Sequence, residues 1–368
     1  MAETTNLSFD QFDSPEFELL LDQLLQATGD LDADTAWPSQ QLKWLGDIGV
    51  LGWVIPTEFG GVDVSAEELT IGYERLAQAC LLSTFVLTQR NGACQRIAGA
   101  SNEALKVELL PPLARGEVFA TVGISHLTTS RQHVKKPAVE VRRDGDQLIF
   151  DGTIPWVTGA TCADYIVTGG TTQDANQVLA VIPTSLDGVT SLEPIRMMAL
   201  NASQTGPVQL DNVIIPEHYL ISGPTPNVMK QGIGGGAGSL TTSALAIGTA
   251  DSSLRHLKDE AVSRPDLKQI YEPLNHERLS ILADLLEAAR GASVEQDPSI
   301  TSESIRQRAN SLVLRTSQAY LAASKGAGFA EGHPAGRAVR EAMFFLVWSC
   351  PQPVLTAALR EFACLVDG

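Results

Sequence analysis

Trp156 and Thr158 are the two residues whose types and spacing first suggest chemistry. They lie in the stretch IFDGTIPWVTGATCAD, residues 149–164. In an extended segment, residues two apart point to the same side, so an aromatic plane and a hydroxyl would lie together. Such a pair suits a flat heteroaromatic ligand, which can stack on one group and hydrogen-bond to the other. A buried sheet tryptophan beside a turn threonine is the alternative interpretation, and the stretch alone favours it.

Short segments of β type surround this stretch and must position it. The apolar runs are residues 139–141, 148–150, 165–167, 178–182 and 213–215. The first two flank a turn at 143–146 that contains Asp-Gly, which is a strong hairpin signal. Residues 118–222 are therefore predicted to form a middle antiparallel β domain, either a barrel or a sandwich.

Helical periodicity precedes and follows that domain. Residues 1–13 look frayed, Ser14-Pro15-Glu16 is a plausible helix start, and residues 65–68 (SAEE) match a capping box. Further helices are expected at about 35–48, 240–261, 273–290, 300–324 and 334–348, with a last one after Pro353. Residues 1–117 are predicted to be an all-helical domain and residues 223–368 a helical bundle. Helices, a β block and helices again, without βαβ alternation, indicate an α+β protein and not a Rossmann fold.

A glycine-rich segment, residues 232–236, leads into the last helices. It lacks the Lys-Ser/Thr of a P-loop, and no strand runs directly into it. A flexible approach to a helix is therefore favoured over a phosphate loop.

Composition excludes several classes of function. The chain has 368 residues and a net charge of −17, which argues against a general nucleic-acid or anionic-membrane binder. No apolar run is long enough for a membrane span, and the polar, acidic start shows no secretory signal. The five cysteines are scattered without CxxC spacing, which is typical of neither a zinc site nor a disulfide framework and suits a reducing compartment. A cytoplasmic protein is expected.

Three motifs, taken with the order of the blocks, resemble the acyl-CoA dehydrogenase superfamily of flavoproteins. Residues 49–61 (GVLGWVIPTEFGG) are similar to the family's G-[IL]-x-G-x-x-x-P-x-E-[FY]-G-G segment. Residues 142–170 resemble its hairpin, its K-x-W-[IV]-[ST]-N turn and the strand after it. Residues 201–216 (NASQTGPVQLDNVIIP) are similar to the segment that closes its β domain. The resemblance covers about residues 40–368 and implies a C-terminal four-helix bundle and FAD as cofactor.

The resemblance also implies roles for individual residues. In the family the W-[IV]-[ST] turn, here Trp156-Val157-Thr158, lies against the flavin ring, and Thr158 would sit near N5, which receives the hydride. Arg264 falls at the arginine that reaches the FAD pyrophosphate of a neighbouring subunit, which implies a homodimer or homotetramer. A surface arginine beside Pro265 is the alternative for this position.

Other positions depart from the family pattern. In the loop that precedes the hairpin, Ser125 and His126 stand where flavin contacts are expected, and Gln132 replaces a serine that touches acyl-CoA. His126 could still contact the flavin or act as a general acid or base, or it could be merely structural. In the glycine-rich segment at 322–328, Lys325 replaces a glycine and could hold a phosphate or complement a helix end.

The residue expected to act as the base is also missing. Ser349 occupies the position of the Glu that removes the α-proton, and a serine hydroxyl cannot do so unaided. The second place where some members carry this Glu corresponds to about Gly238, again without a carboxylate.

Three functions follow from these residues. The first is an FAD-dependent oxidoreductase that oxidises a CH–CH group of an acyl thioester, such as an acyl-CoA, or of a related substrate. The second is a flavin-dependent monooxygenase of the same fold that uses reduced flavin and oxygen. The third is a non-catalytic relative. An electron-transfer or flavin-reductase partner is a further expectation for the first two, and no metal is expected.

Overall fold

The computed structural model describes residues 12–33, 35–128, 136–145, 147–231, 240–291 and 300–365. The N-terminal part is helical, as predicted, and its helices are α1 (Pro15–Ala33), α2 (Ser39–Asp47), α3 (Ala66–Ala79), α4 (Leu81–Ala98) and α5 (Glu103–Ala114). The capping box at the start of α3 is confirmed, since Ser65 and Glu68 satisfy each other's backbone amides.

Of the segment predicted to be frayed, residues 1–11 lie outside the described residues, and Phe12 is anchored. Phe12 is buried and packs edge-on against Phe17 and Trp53. Arg75 donates to the carbonyl of Phe12 as well. Aromatic burial and this hydrogen bond together offset the entropy of ordering the segment.

The middle part is one sheet of eight strands: β1 (Ala120–Gly123), β2 (Val139–Asp144), β3 (Gln147–Val157), β4 (Tyr165–Thr171), β5 (Gln177–Pro183), β6 (Val189–Ser191), β7 (Gly206–Pro216) and β8 (Leu220–Thr225). Their order is β6-β7-β3-β2-β4-β5-β8, with β1 paired to β4, and the sheet is not closed. Most neighbours are antiparallel, but β1 runs parallel to β4, a pairing that the sequence did not predict. A short helix, α6 (Ser125–Thr128), follows β1.

Strand β3, which carries the stretch of interest, is central because it pairs with β2 on one side and β7 on the other. Its inward-facing residues Phe150, Ile154 and Val157 are fully buried in the sheet core. β2 pairs with β3 only as far as Gly152, whereas β7 accompanies β3 to Val157, so β7 fixes the end of the strand that leads into the turn.

The C-terminal part is helical again: α7 (Leu240–Ser263), α8 (Lys268–Ala289), α9 (Ser302–Ala323), α10 (Pro334–Phe344) and α11 (Gln352–Phe362). Helix α7 packs against α3, α8 and α9, and a Cβ on Gly248 would lie only 2.1 Å from the carbonyl oxygen of Glu74. The α+β class is confirmed, whereas the boundaries 1–117, 118–222 and 223–368 stay predictions. Among the described residues, no helix is long and apolar enough to cross a membrane.

Candidate active site

The turn after β3 separates Trp156 from Thr158. The strand ends at Val157, and Gly159 adopts a φ of +67°, where a Cβ would lie 2.7 Å from the ring of Trp37. The side-chain alternation used to place Trp156 and Thr158 on one side therefore does not extend to Thr158. Trp156 is 44% exposed, whereas Thr158 is 4% exposed.

Thr158 is the last member of a chain of buried hydroxyls. The hydroxyl of Thr205 donates to Thr158 Oγ1 at 3.2 Å, and Ser203 Oγ lies 2.8 Å from Thr205 Oγ1. Because each hydroxyl has one hydrogen, Thr205 can donate to Thr158 only if Ser203 donates to Thr205. This order leaves the hydrogen of Thr158 for an acceptor outside the chain. Sequence reasoning missed Ser203 and Thr205 as partners of Thr158, although both lie in the quoted NASQT motif.

The end of β1 lies against the end of β3. A Cβ on Gly123 would be 2.7 Å from Ile154 Cγ2 and 3.1 Å from Val157 Cγ2, so only glycine permits this approach. Ser125 and His126 follow within three residues on α6, which also packs on β3. The structure thus brings these two predicted residues to the same end of the sheet as Val157.

Ser125 and His126 differ in their hydrogen bonding. Ser125 Oγ is buried and has no hydrogen-bond partner among the residues that the structure describes. His126 Nε2 lies 2.9 Å from the carbonyl oxygen of Gly169 on β4. A carbonyl oxygen only accepts, so His126 carries its proton on Nε2 in this contact, and the ring is attached to the sheet.

Arg264 lies just after α7 and contacts the end of α9, two residues before Lys325. Arg264 Nη1 donates to the carbonyl oxygen of Ala323 at 2.7 Å, and Glu260 and Asp266 lie 4.0 and 3.8 Å from its guanidinium nitrogens. Lys325 follows Ala323 by two residues, is exposed and has a φ of +53°. Two cationic groups therefore lie close together at the ends of α7 and α9.

Ser349 closes a turn between α10 and α11. It is partly buried and has a φ of +45°, and Cys350 and Pro351 follow it. From α9, Arg306 Nη2 donates to the carbonyls of Phe345 (3.4 Å) and Trp348 (3.2 Å), and Asn310 Nδ2 donates to Phe345 (3.0 Å).

Arg306 could not be recognised as important from the sequence, because only the fold reveals that it is fully buried. No described carboxylate lies within ion-pair distance of it. Burial lowers the pKa of Arg306 to about 9.

Helix α4 connects the two halves of the site. Phe85 near its start packs against Trp348 with ring centroids 5.1 Å apart, and Gly92 faces Val122 of β1. Seven helical residues span about 10 Å, so the turn that bears Ser349 lies roughly that far along α4 from the strand that leads to Ser125. Among the described residues, the hydrogen bonds of Thr158 lead to Thr205 and not to Ser349.

Some predicted positions lie outside the described residues: Gln132, the glycine-rich segment at 232–236, and Gly238. Within the described ranges, no group of three or more His, Cys, Asp or Glu side chains could hold a metal ion.

Comparisons with known proteins find similar sequences and similar folds. Residues 18–117 match the family model "Acyl-CoA dehydrogenase, N-terminal domain". A curated relative, the probable acyl-CoA dehydrogenase YngJ of Bacillus subtilis, is 24% identical over 67% of this chain and 65% of its own length. This chain spans about half of the length of other curated relatives, such as a glutaryl-CoA dehydrogenase of Desulfococcus multivorans.

Two solved structures illustrate how far the fold is shared. An acyl-CoA dehydrogenase from Geobacillus kaustophilus aligns with a TM-score of 0.81 at 15% identity, covering 97% of this chain and 99% of that one. A nitrososynthase from Micromonospora carbonacea var. africana aligns with a TM-score of 0.76 at 16% identity, covering 96% and 95%. At these identities the likeness establishes the fold alone, and proteins named for different activities share it.

Proposed function

Because the chain belongs to the acyl-CoA dehydrogenase superfamily, we propose that it is an FAD-dependent oxidoreductase that oxidises a CH–CH group of an acyl thioester or a related substrate. The observation that carries the proposal is the turn after β3. Just before the turn, β3 presents an exposed aromatic ring at Trp156, and the turn holds a buried hydroxyl at Thr158 whose hydrogen has no acceptor within its own hydroxyl chain.

These groups fit a flavin ring. FAD supplies an acceptor for hydride at N5. Thr158 would donate its hydroxyl hydrogen at that edge, Val157 would support the ring from the sheet, and Trp156 would cover one side of it. Ser125, whose buried Oγ has no hydrogen-bond partner among the described residues, would give or receive a further hydrogen bond from α6. His126 uses Nε2–H on Gly169, which favours a positioning role over proton transfer.

Arg264 and Lys325 would bind the pyrophosphate of the FAD in a neighbouring subunit. The guanidinium of Arg264 is partly exposed and uses one N–H on Ala323, which leaves other donors for phosphate oxygens. Lys325 would add a point charge. This arrangement requires a homo-oligomer, which we propose to be a dimer or tetramer.

The chemistry at the substrate depends on the turn at 345–350. Ser349 cannot remove an α-proton unaided, and the neighbouring Cys350 does not replace the missing carboxylate. Burial raises the pKa of the Cys350 thiol and outweighs the opposing charge of Arg306, so little thiolate is present at neutral pH. The reaction would therefore need a substrate whose proton is unusually acidic, or a base that the substrate itself brings.

The absence of a base in this turn favours a second candidate, a flavin-dependent monooxygenase. That reaction takes reduced flavin from a reductase partner and needs no α-proton base. A dehydrogenase would instead deliver its electrons to an electron-transfer partner. The third hypothesis, a non-catalytic relative, predicts that the protein neither retains flavin nor binds an acyl thioester.

The first experiment titrates purified protein with FAD and follows the visible spectrum. We expect binding, and we expect Thr158→Val to weaken it by about 3–10-fold, the effect of one hydrogen bond. Thr158→Ser is the matched control, because it keeps the hydroxyl and should bind nearly as the wild type does. Protein that never takes up flavin contradicts the proposal.

A second experiment separates the two chemistries. Acyl-CoAs of several chain lengths are added anaerobically to the flavin-loaded protein, and bleaching of the flavin is recorded. In parallel, reduced flavin and oxygen are supplied and substrate oxygenation is measured. Bleaching without oxygenation supports the dehydrogenase, and the reverse supports the monooxygenase.

A further inference from the structure

The hydroxyls of Ser203 and Thr205 serve the chain that ends at Thr158. Ser203 is fully buried, Thr205 is 6% exposed and Thr158 is 4% exposed, so bulk water has little access to their hydrogens. Among the described residues, the hydroxyls of Ser203 and Thr205 make no hydrogen bond other than those of 2.8 and 3.2 Å within the chain. The chain therefore runs in one direction, from Ser203 through Thr205 to Thr158.

The loop at 197–205 fixes this chain against the turn after β3. Asn201 accepts from the amide of Met197 at 2.8 Å and donates to its carbonyl at 3.1 Å, which closes the loop. The carbonyl of Ser203 accepts from the amide of Gly159, the residue after Thr158, at 2.8 Å. The backbone therefore holds the loop and the turn together, and the hydroxyls lie between them.

Leu200 and Gln204 give this loop a left-handed backbone at two places. Their φ values are +62° and +50°, although neither residue is glycine. Such residues persist only where their surroundings hold them, and they are concentrated at functional sites. Gln204 separates Ser203 from Thr205, whose hydroxyls are 2.8 Å apart. The strained conformation thus lies where the hydroxyl chain is assembled.

We propose that Ser203 and Thr205 are positioning residues that hold the Thr158 hydroxyl as a donor towards oxidised flavin. The inference rests on the proposed function. Oxidised flavin has an acceptor at N5, and reduction places a hydrogen there and removes that acceptor. A hydroxyl that accepts a hydrogen bond also becomes a stronger donor. The one-way chain therefore stabilises the oxidised form of the cofactor more than the reduced form.

Titration of the purified protein with two flavins measures this contact without turnover. The probes are FAD and 5-deaza-FAD, an analogue in which a C–H group replaces N5 and leaves no acceptor there. The ratio of the two dissociation constants reports whether the protein uses that acceptor. We expect the wild type to bind FAD about 3–10-fold more tightly than 5-deaza-FAD, the effect of one hydrogen bond.

Thr205→Val keeps the shape of the side chain and removes its hydroxyl, so it should lower this ratio by about two- to fourfold. Thr205→Ser should restore the wild-type ratio. Ser203→Ala, which removes only the first donor of the chain, should lower the ratio by less. Thr153→Val is the matched control, because the hydroxyl of Thr153 on β3 binds Gln209 at 2.7 Å and has no part in the chain.

The midpoint potential of the bound flavin gives a second measurement. A two- to fourfold loss of preference for the oxidised form should make the potential of Thr205→Val roughly 10–20 mV higher, since a tenfold change corresponds to about 30 mV for two electrons. Thr205→Ser and Thr153→Val should keep the wild-type potential.

The inference and the proposed function can fail separately. If FAD binds but the wild type does not prefer it to 5-deaza-FAD, or if Thr205→Val changes neither the ratio nor the potential, the inference is overturned and the proposed function stands. If the wild type takes up neither flavin, both are overturned. Circular dichroism checks that each variant folds, and if Thr205→Val does not, Ser203→Ala decides by the same criteria.

Discussion

Glu74 should contribute to a pH dependence of this protein's stability, and Glu74→Gln should remove that contribution. The residue lies on α3, is 7% exposed and faces α7 and α8. Arg278 Nη1 lies 3.4 Å from its Oε1, while Arg278 Nε lies 3.1 Å from Asp251. Burial, and then the negative charge of Asp251, raise the pKa of Glu74 from 4.5 to about 7, although Arg278 opposes them.

The sign follows from proton binding. Between these two pKa values the folded state holds the proton and the unfolded chain has lost it, so raising the pH favours unfolding. The contribution of Glu74 to the free energy of unfolding is complete below pH 4.5 and is lost as the pH rises through about 7. At about 1.4 kcal/mol per pH unit the loss is about 3 kcal/mol, most of it between about pH 5 and about pH 8.

Urea unfolding followed by circular dichroism across this range measures the effect. Glutamine keeps an oxygen that can accept from Arg278 but carries no charge. We expect the variant to match the wild type near pH 5 and to exceed it by roughly 2–3 kcal/mol near pH 8. The matched control is Glu193→Gln at an exposed site, which should follow the wild type throughout.

Parallel curves for the wild type and Glu74→Gln would refute the reasoning. They would mean that Arg278 and water compensate the buried charge fully, so that the folded and unfolded states release the proton at the same pH.

Three further substitutions have defined outcomes. Gly61→Ala should destabilise the fold by about 3 kcal/mol or more in urea unfolding, because a Cβ there would lie 1.9 Å from the carbonyl oxygen of Ile55; a change below about 1 kcal/mol would contradict the packing. Gly29→Ala, on α1 with no atom within 4 Å of the new Cβ, should stabilise by about 0.5–1 kcal/mol in the same assay, and a loss of stability would contradict it. If residue 349 faces the substrate, Ser349→Glu should allow acyl-CoA to bleach the bound flavin. If the flavin-loaded variant stays oxidised when acyl-CoA is added, residue 349 does not face the substrate.

Local signals predicted much of the fold. The capping box before α3 and the start of α1 at Pro15 need only neighbouring residues, and both are as predicted. The helix expected from about 273 begins at Lys268 instead. Pro273 lies inside α8, in its second turn, and does not mark the start of the helix. The helix expected at 334–348 ends at Phe344, since hydrogen bonds from Arg306 and Asn310 capture the carbonyls of the turn beyond it.

The site was predictable only in part. Trp156 and Thr158 could be selected by residue type, but their opposite exposure depends on where β3 ends. The hydroxyl chain that orients Thr158 joins residues 47 apart in sequence, and the parallel pairing of β1 with β4 joins residues 45 apart. Long-range pairings of this kind leave no local periodicity, so sequence patterns do not reveal them.

The open sheet also bears on how the protein behaves when crowded or partly unfolded. Its path ends in β6, which has only three residues, and in β8, which contains the pair Gly223-Pro224. A very short strand offers few free amides, and proline offers none, so both ends are poor templates for adding a strand from another molecule. These two ends can thus stay open without becoming seeds for aggregation, which leaves β6 and β8 free to vary in sequence as long as β6 stays short and β8 keeps its proline.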